Sequence, residues 1–445
     1  MNSREIAFNI LYDIFDRKGY SNIVLNKHLK KVDISDIDKS LIKEIVFGTI
    51  ERKYTIDYII SILAKNGLKK IENNVLIILE MSLYQLMYMD KIPEYAAINE
   101  GVSLSKKRMG LSASKFVNAI LRNYLRQIKN INFPSKGTNL LTYLCINYSY
   151  PEWIVKRLLN NYDADTSEKI LKSLNEKPEL CCRLNTLKLK ADTFKEILKQ
   201  RGLIFKPGLY NNEAFYINLK NIENDELYKK GYLQVQDEAA MLVSKVLNPQ
   251  PGDTIIDVCS APGGKTTHIA QMMENIGTIY AFDVHMHKID IINKNCKRLG
   301  IDIVKTFLYD STKINKNFIN LADKVLVDVP CTGIGIIRKK PDIKLKQYKP
   351  KDIELLNEIQ LNILLSSSYY VKKNGFLVYS TCTIGKEENQ LIIKKFLENN
   401  KNFRIIDIND FLPETLKNRE NYFVQFIPYK HDIDGFFICK MQRLH

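Results

Sequence analysis

No apolar run in this 445-residue chain is long enough to cross a bilayer. The longest, Val75 to Met89, falls short of the ~20 residues needed and is broken by Glu80 and Gln85. No secretory leader is expected, because Arg4 and Glu5 interrupt the start and no apolar core follows. The 8 cysteines, at 145, 181, 182, 259, 296, 331, 382 and 439, contain no pair at the two-residue spacing of zinc sites. Cys181 and Cys182 are adjacent, which suits neither a metal nor an ordinary disulfide. We therefore expect a reducing, cytoplasmic setting, with no membrane partner and no metal. Internal repeats and low-complexity segments are absent as well.

Acidic residues are in short supply. The chain has 66 Lys+Arg against 50 Asp+Glu, a formal charge of +16, which favours a polyanionic partner with nucleic acid first. The deficit is local: residues 101–130 hold Lys106, Lys107, Arg108, Lys115, Arg122, Arg126 and Lys129 and not one acid. A solvated helix face normally mixes signs, so this stretch points to phosphate contact.

A chain of this length implies roughly three domains. Residues 1–130 carry apolar residues at three- and four-residue spacing and predict an all-helical bundle. Ile6, Ile10, Leu11 and Ile14 form one stripe, Leu41, Ile42, Ile45 and Val46 a second, and Tyr58, Ile59, Ile62 and Leu63 a third. Val75 to Met89 is apolar nearly all round, as the central helix of a bundle would be. Asn66-Gly67 and Lys91-Ile92-Pro93 punctuate the pattern, and a last helix is expected near Ser112 to Ile128. Residues 131–140 read as a linker, and 140–248 as a small α+β unit with a strand at Leu180 to Asn185. From 249 to 445, strands at 254–258, 278–282, 303–308, 324–328, 375–380 and 435–441 alternate with helices at 265–274, 286–299, 351–372 and 386–398. That alternation predicts an α/β, doubly wound and mostly parallel sheet, with the last strand inserted antiparallel.

Asp257-Val258-Cys259-Ser260-Ala261-Pro262-Gly263-Gly264-Lys265 is a strand-to-helix loop. Gly263 and Gly264 let the backbone approach a ligand, Pro262 stiffens the turn, and the following helix offers free amides. Gly264-Lys265-Thr266 ends like a phosphate loop, but that motif requires a glycine where Cys259 stands, and a dinucleotide fingerprint requires three spaced glycines. A smaller ligand without a pyrophosphate fits better, and S-adenosylmethionine is the expectation. Asp283 follows the next strand, where a carboxylate commonly holds ribose hydroxyls. Asp310 is assigned to the adenine end, and Asp328 to the methionine portion, the target base, or both.

Two cysteines close buried-strand patterns: Cys331 in Asp328-Val329-Pro330-Cys331 and Cys382 in Ser380-Thr381-Cys382-Thr383. Ligands in open α/β sheets bind at the carboxyl ends of strands, so both thiols are expected to face one crevice. A thiolate adds to an electron-poor ring carbon. Attack on C6 of cytosine makes C5 electron-rich enough to take a methyl group, and a second thiol nearby can assist release. Lys265 is a candidate to lower the nucleophile's pKa by its charge. The remaining cysteines read as small buried hydrophobes.

These three motifs resemble those of the RNA 5-methylcytosine methyltransferases of the Nol1/Nop2/Sun family. The resemblance implies a Rossmann-like catalytic domain, Cys382 as the nucleophile and Cys331 as the group for product release. It further implies an S-adenosylmethionine site formed by Cys259, Ser260, Ala261, Pro262, Gly263, Gly264, Lys265, Asp283, Asp310 and Asp328. Enzymes that methylate cytosine in DNA use the Pro-Cys thiol instead, so the second motif implies RNA. Ser260 stands where alanine is more usual, and Arg183-Leu184-Asn185-Thr186 resembles the family's upstream Arg-x-Asn element. Phe47-Gly48-Thr49, Tyr84-Gln85-Leu86, Ile92 to Glu100 and Phe116 to Arg122 resemble the helical NusB-type RNA-binding domain. That fusion implies a 16S ribosomal RNA substrate and a monomeric enzyme. Relatives that act on tRNA, and a non-catalytic RNA-binding protein, are the competing readings. Arg338, Lys339 and Lys340 are expected to grip phosphates beside the target base.

Overall fold

The computed structural model describes residues 2–17, 19, 21–65, 67–417 and 422–445; Asn66 of the expected turn lies outside them. The chain forms two compact units, Met1–Glu176 with Ile337–Gln347, and Lys177–Ile336 with Tyr348–His445.

The first unit is helical: α1 (Ser3–Phe15), α2 (Ser21–Leu29), α3 (Asp36–Leu63), α4 (Asn73–Tyr88), α5 (Glu94–Met109), α6 (Leu111–Gln127), α7 (Leu140–Asn147), α8 (Glu152–Asn161) and α9 (Ala164–Ser173). The Asn2 side chain caps α1 and the Ser35 side chain caps α3, each accepting from an amide of the first turn. The stripes at 41–46 and 58–63 lie on the single helix α3, with Ile62 turned outward and exposed. Helix α4 packs against α1, α3, α5 and α6 and buries every residue from Ile77 to Gln85, as its all-round apolar surface requires. Gly48 is where α3 meets α4: a Cβ there would lie 1.9 Å from Tyr84 Cζ.

The acid-free stretch is not wholly available for phosphate. Lys107 Nζ and Arg108 Nη2 reach Glu5 Oε1 at 3.0 and 3.1 Å, an acid distant in sequence that the helical packing brings alongside. Lys106, Lys115, Arg122, Arg126 and Lys129 are exposed.

Residues 337–347 are built into this helical unit. Lys344 is fully buried. Its Nζ donates to Glu51 O at 3.0 Å and Asn175 Oδ1 at 2.8 Å, and lies 3.8 Å from the centre of the Tyr150 ring. Burial pushes its pKa well below the ordinary value. Tyr54 OH donates to Lys344 O (2.8 Å), Trp153 Nε1 to Lys346 O (2.7 Å), and Ser21 Oγ to Asp342 Oδ1 (2.8 Å).

The second unit opens with β1 (Cys181–Leu184), α10 (Ala191–Gln200), β2 (Phe205–Pro207), β3 (Ala214–Ile217), α11 (Glu226–Lys229), β4 (Leu233–Val235) and α12 (Glu238–Leu247). Its strands pair antiparallel in the order β2-β3-β1-β4. There follow β5 (Thr254–Asp257), α13 (Gly264–Met272), β6 (Thr278–Asp283), α14 (Met286–Leu299), β7 (Val304–Leu308), β8 (Ala322–Asp328), α15 (Pro350–Ser368), β9 (Val371–Thr381), α16 (Gln390–Asn399), β10 (Phe403–Ile406), β11 (Phe423–Gln425), α17 (Pro428–His431) and β12 (Phe437–Arg443). They form an eight-stranded sheet in the order β10-β12-β9-β8-β5-β6-β7, with β11 on β12. Strands β5 to β9 run parallel, and β12 lies antiparallel to β9. Strand order reverses at β5, so a crevice opens at the carboxyl ends of β5 and β8. Among the described residues, no helix is long and apolar enough to cross a membrane and no cluster of His, Cys, Asp or Glu is suited to a metal.

Candidate active site

The carboxyl ends of β5, β6, β8 and β9 carry the expected residues. Asp257 ends β5, Asp283 ends β6, and Asp328, at the end of β8, pairs in register with Ser380 on β9. After β5 the chain turns through Cys259 to Gly263. Ser260 anchors the turn: its amide and its Oγ both donate to Phe282 O, each at 2.9 Å. The Ala261–Pro262 peptide is cis, and Gly263 has φ +93°, a left-handed conformation that favours glycine. A Cβ on Gly264 would meet nothing nearer than 3.9 Å, so the amino terminus of α13 is open. Cys259 is half-buried. Burial, then the nearby Asp257, raises its thiol well above the ordinary value, which leaves it protonated and inert.

The neighbouring β1 steadies this loop. Arg183 is fully buried and donates to Gly264 O (2.9 Å), Thr267 Oγ1 (3.1 Å), Gln271 Oε1 (3.1 Å) and Gln236 Oε1. Burial lowers its pKa to about 9. Asn185 Nδ2 donates to Gly231 O and to Leu299 O, both at 2.9 Å. The Arg-x-Asn element thus bolts the small sheet to the first turn of α13 and the end of α14.

Two carboxylates face the loop. Asp283 Oδ2 accepts from the Ala261 amide at 3.4 Å and its Oδ1 from the His285 amide at 3.1 Å. Asp257 is buried; its Oδ2 accepts from Thr266 Oγ1 at 2.7 Å, while its Oδ1 has no partner among the described residues. Burial raises its pKa from 3.8 to about 7. A buried acceptor left over, open helix amides and a carboxylate beside them fit a ligand carrying both an amino-acid group and a ribose. Asp310 behaves differently. It lies two residues past β7 and folds back on Thr312, accepting from its amide at 3.1 Å and its hydroxyl at 2.7 Å. No hydrogen bond places it on the glycine loop; it caps a local turn, as short acidic side chains often do.

On the other side of the crevice the two thiols meet. Cys331 Sγ and Cys382 Sγ are 3.1 Å apart. The bond to Cys382, together with burial, pushes the Cys331 thiol well above its ordinary 9.0. The shift favours the thiol form of Cys331, and either sulfur can be the donor across the contact. Beside them Lys265 Nζ lies 2.7 Å from Asp328 Oδ2, and Ser380 Oγ donates to Asp328 Oδ1 at 2.7 Å. Burial works against the Lys265 ammonium, but Asp328, with Cys382 and Asp257, raises its pKa on balance. The Gly335 amide donates to Cys382 O (3.1 Å), and Gly335 O accepts from the Gly435 amide (2.9 Å).

Arg338 and Lys339 are half-buried and Lys340 is exposed; all three belong to the segment packed in the helical unit. Sequence reasoning missed Thr332, Gln360, Glu388 and Asn389, which surround the thiol loops. Glu388 and Asn389 fall where the sequence predicts a helix over 386–398. The helix begins only at Gln390, because Lys386–Glu388 forms a tight turn that points Glu388 inward.

The chain matches three family models: 16S rRNA methyltransferase RsmB/F over residues 244–442, the NusB family over 1–126, and the RsmF/B-like ferredoxin-like domain over 150–221. It is 34% identical to the probable ribosomal RNA small subunit methyltransferase B of Bacillus subtilis, across 99% of this chain and 98% of that one. The corresponding probable enzyme of Synechocystis is 33% identical, with all of both chains covered. Among solved structures, that of PH0851 aligns with a TM-score of 0.82 at 26% identity over 100% of this chain and 99% of its own. NSun6 from Pyrococcus horikoshii, solved with SFG, aligns at 0.61 and 25% identity over 67% of this chain and 99% of its own. With relatives of this identity matching from end to end, the chain belongs to the ribosomal RNA small subunit methyltransferase B family, S-adenosylmethionine-dependent methyltransferases of rRNA.

Proposed function

We propose that the protein methylates C5 of a cytosine in 16S ribosomal RNA through a covalent bond between Cys382 Sγ and C6 of the base. The observation that supports this most is the pair of sulfurs 3.1 Å apart at the ends of two adjacent parallel strands, with the Cys331 thiol raised above its ordinary value. The Cys382 sulfur adds to C6, and the electron pair of the C5–C6 double bond shifts to leave C5 nucleophilic. When bound, S-adenosylmethionine supplies the methyl group for that carbon. Loss of the C5 proton to a solvent base then returns the pair to the ring and expels the Cys382 sulfur. Cys331, kept protonated, stands ready to give its proton to that departing sulfur. Lys265, charged and beside Asp328, favours the thiolate form of Cys382.

We assign the cofactor to residues 259–265 with Asp283 and Asp328; the turn contacts of Asp310 leave it a weaker member of the set. A stacked cytosine must swing out to reach Cys382. Arg338, Lys339 and Lys340 are our candidates for the flanking phosphates, and we take the enzyme to act as a cytoplasmic monomer. Bisulfite mapping of rRNA and tRNA from cells with and without the gene tests the reading. One cytosine of 16S rRNA should lose its mark. A loss confined to tRNA would move the substrate, and no loss in either would defeat the reaction. In vitro, Cys331→Ala should trap a protein–RNA adduct that survives denaturing gels.

A further inference from the structure

Neither cysteine is held by its own strand alone. Glu388 is fully buried, in the turn between β9 and α16. Its Oε2 accepts from the Thr332 amide at 2.8 Å and from Gln360 Nε2 at 2.9 Å, and its Oε1 accepts from Thr332 Oγ1 at 2.5 Å. Gln360 Nε2 also donates to Pro330 O at 2.9 Å. The residues before and after Cys331 are thus both tied to this carboxylate, one directly and one through Gln360.

The network continues to the second thiol. Thr332 Oγ1 and Thr383 Oγ1 are 3.0 Å apart. A carboxylate only accepts, so the Thr332 hydroxyl proton points to Glu388 and the Thr383 hydroxyl donates to Thr332. Asn389, the next residue, takes the other side: Thr381 Oγ1 donates to its Oδ1 at 2.6 Å, and its Nδ2 donates to Thr383 O at 3.2 Å. Residues 381 and 383 flank Cys382 as 330 and 332 flank Cys331. The Tyr379 hydroxyl, itself buried, fixes Glu388 O at 2.6 Å.

We propose that Glu388 is a positioning residue for methyl transfer, clamping the Cys331 loop and, through the Thr332–Thr383 hydroxyl pair, setting the separation of the two sulfurs. The proposal rests on the covalent mechanism above. Its role differs from that of either cysteine, because its bonds run to the residues that flank the sulfurs. Its carboxylate grips the Cys331 side directly and the Cys382 side through two hydroxyls, so release suffers before attack does.

The test is Glu388→Gln in the full-length enzyme with in vitro transcribed rRNA. Gln keeps the shape but places an NH2 against the Thr332 donors. A misplacement of about 1 Å costs about a hundredfold, so kcat should fall by about that factor. The KM for RNA and calorimetric S-adenosylmethionine affinity should stay within about twofold, because the clamp lies away from the cofactor loop. Covalent protein–RNA adduct should accumulate on denaturing gels, as for Cys331→Ala. Thr332→Val keeps the amide bond to Glu388 and removes only the hydroxyl relay; it should show the same signature with a loss of about tenfold in kcat, and it serves if the first variant does not fold. Wild-type turnover in either folded variant overturns the proposal. So does a loss that tracks cofactor affinity without adduct, which would mark a structural role. Failure of the parent mechanism shows separately: wild-type enzyme would then form no adduct with RNA carrying 5-fluorocytidine.

Discussion

The two halves of the crevice are built on different plans. The side we assign to the cofactor is made by contiguous chain: seven residues from Cys259 to Lys265, a glycine in a left-handed conformation and open helix amides. The thiol side is made by convergence, with Cys331 and Cys382 51 residues apart and their clamp drawn from Thr332, Gln360, Thr383 and Glu388. A loop that binds by its backbone is specified locally, whereas a pair of reacting sulfurs must be located by the tertiary structure.

Substitutions separate the two sides. Cys382→Ala should lower methyl incorporation into rRNA by about a thousandfold or more while calorimetry finds cofactor affinity nearly intact. Asp283→Ala should do the opposite, weakening cofactor binding first. If both variants lose both properties together, the division fails. Next in size is Gly335→Ala, whose Cβ would lie 2.0 Å from Gly435 O, backbone that cannot swing aside. A stability loss of about 1–3 kcal/mol is expected in urea unfolding, with turnover reduced because the Gly335 amide holds Cys382 O. Neutralising Arg338, Lys339 and Lys340 together should reduce the slope of log affinity against log salt by about 2 for single-stranded RNA; an unchanged slope would remove them from the interface.

The smallest effect concerns Asp257. Its folded pKa of about 7 lies above the ordinary 3.8, so the folded protein keeps a proton that the unfolded chain releases. That contribution is complete below 3.8 and disappears as pH rises through about 7. Asp257→Asn should therefore flatten the decline of Tm between about pH 4 and 7. An equally steep decline in the variant would place the titration elsewhere.

What was legible in the sequence follows the same division. The parallel strands, helix α14 and the antiparallel last strand stand close to where periodicity puts them, because each is long enough to show its period. Strands β4, β10 and β11 are three or four residues long and carry no readable alternation. The short α12 was not anticipated either. Asp283 and the glycine loop are visible from spacing. Asp310 looks equivalent by position, yet Thr312 occupies its Oδ1, a distinction that only side-chain direction reveals. Glu388 sits in Lys386-Glu387-Glu388-Asn389, a charged run that reads as a solvated helix start. Nothing in composition says that one of those acids turns inward. Lys107 and Arg108 are the converse, an apparently free basic pair whose counter-ion, Glu5, lies about a hundred residues earlier.

The insertion of residues 337–347 into the helical unit changes what counts as a separable piece of this enzyme. The polypeptide crosses between the units three times, after residues 176, 336 and 347. A fragment starting at residue 177 would carry a peg without its socket: Lys344 stripped of Glu51, Asn175 and Tyr150, nine residues of chain beyond the Gly335 anchor and thirteen beyond Cys331. Such a fragment should be insoluble or slack at the Pro-Cys loop, and adding the helical half in trans would have to rethread that peg to restore turnover.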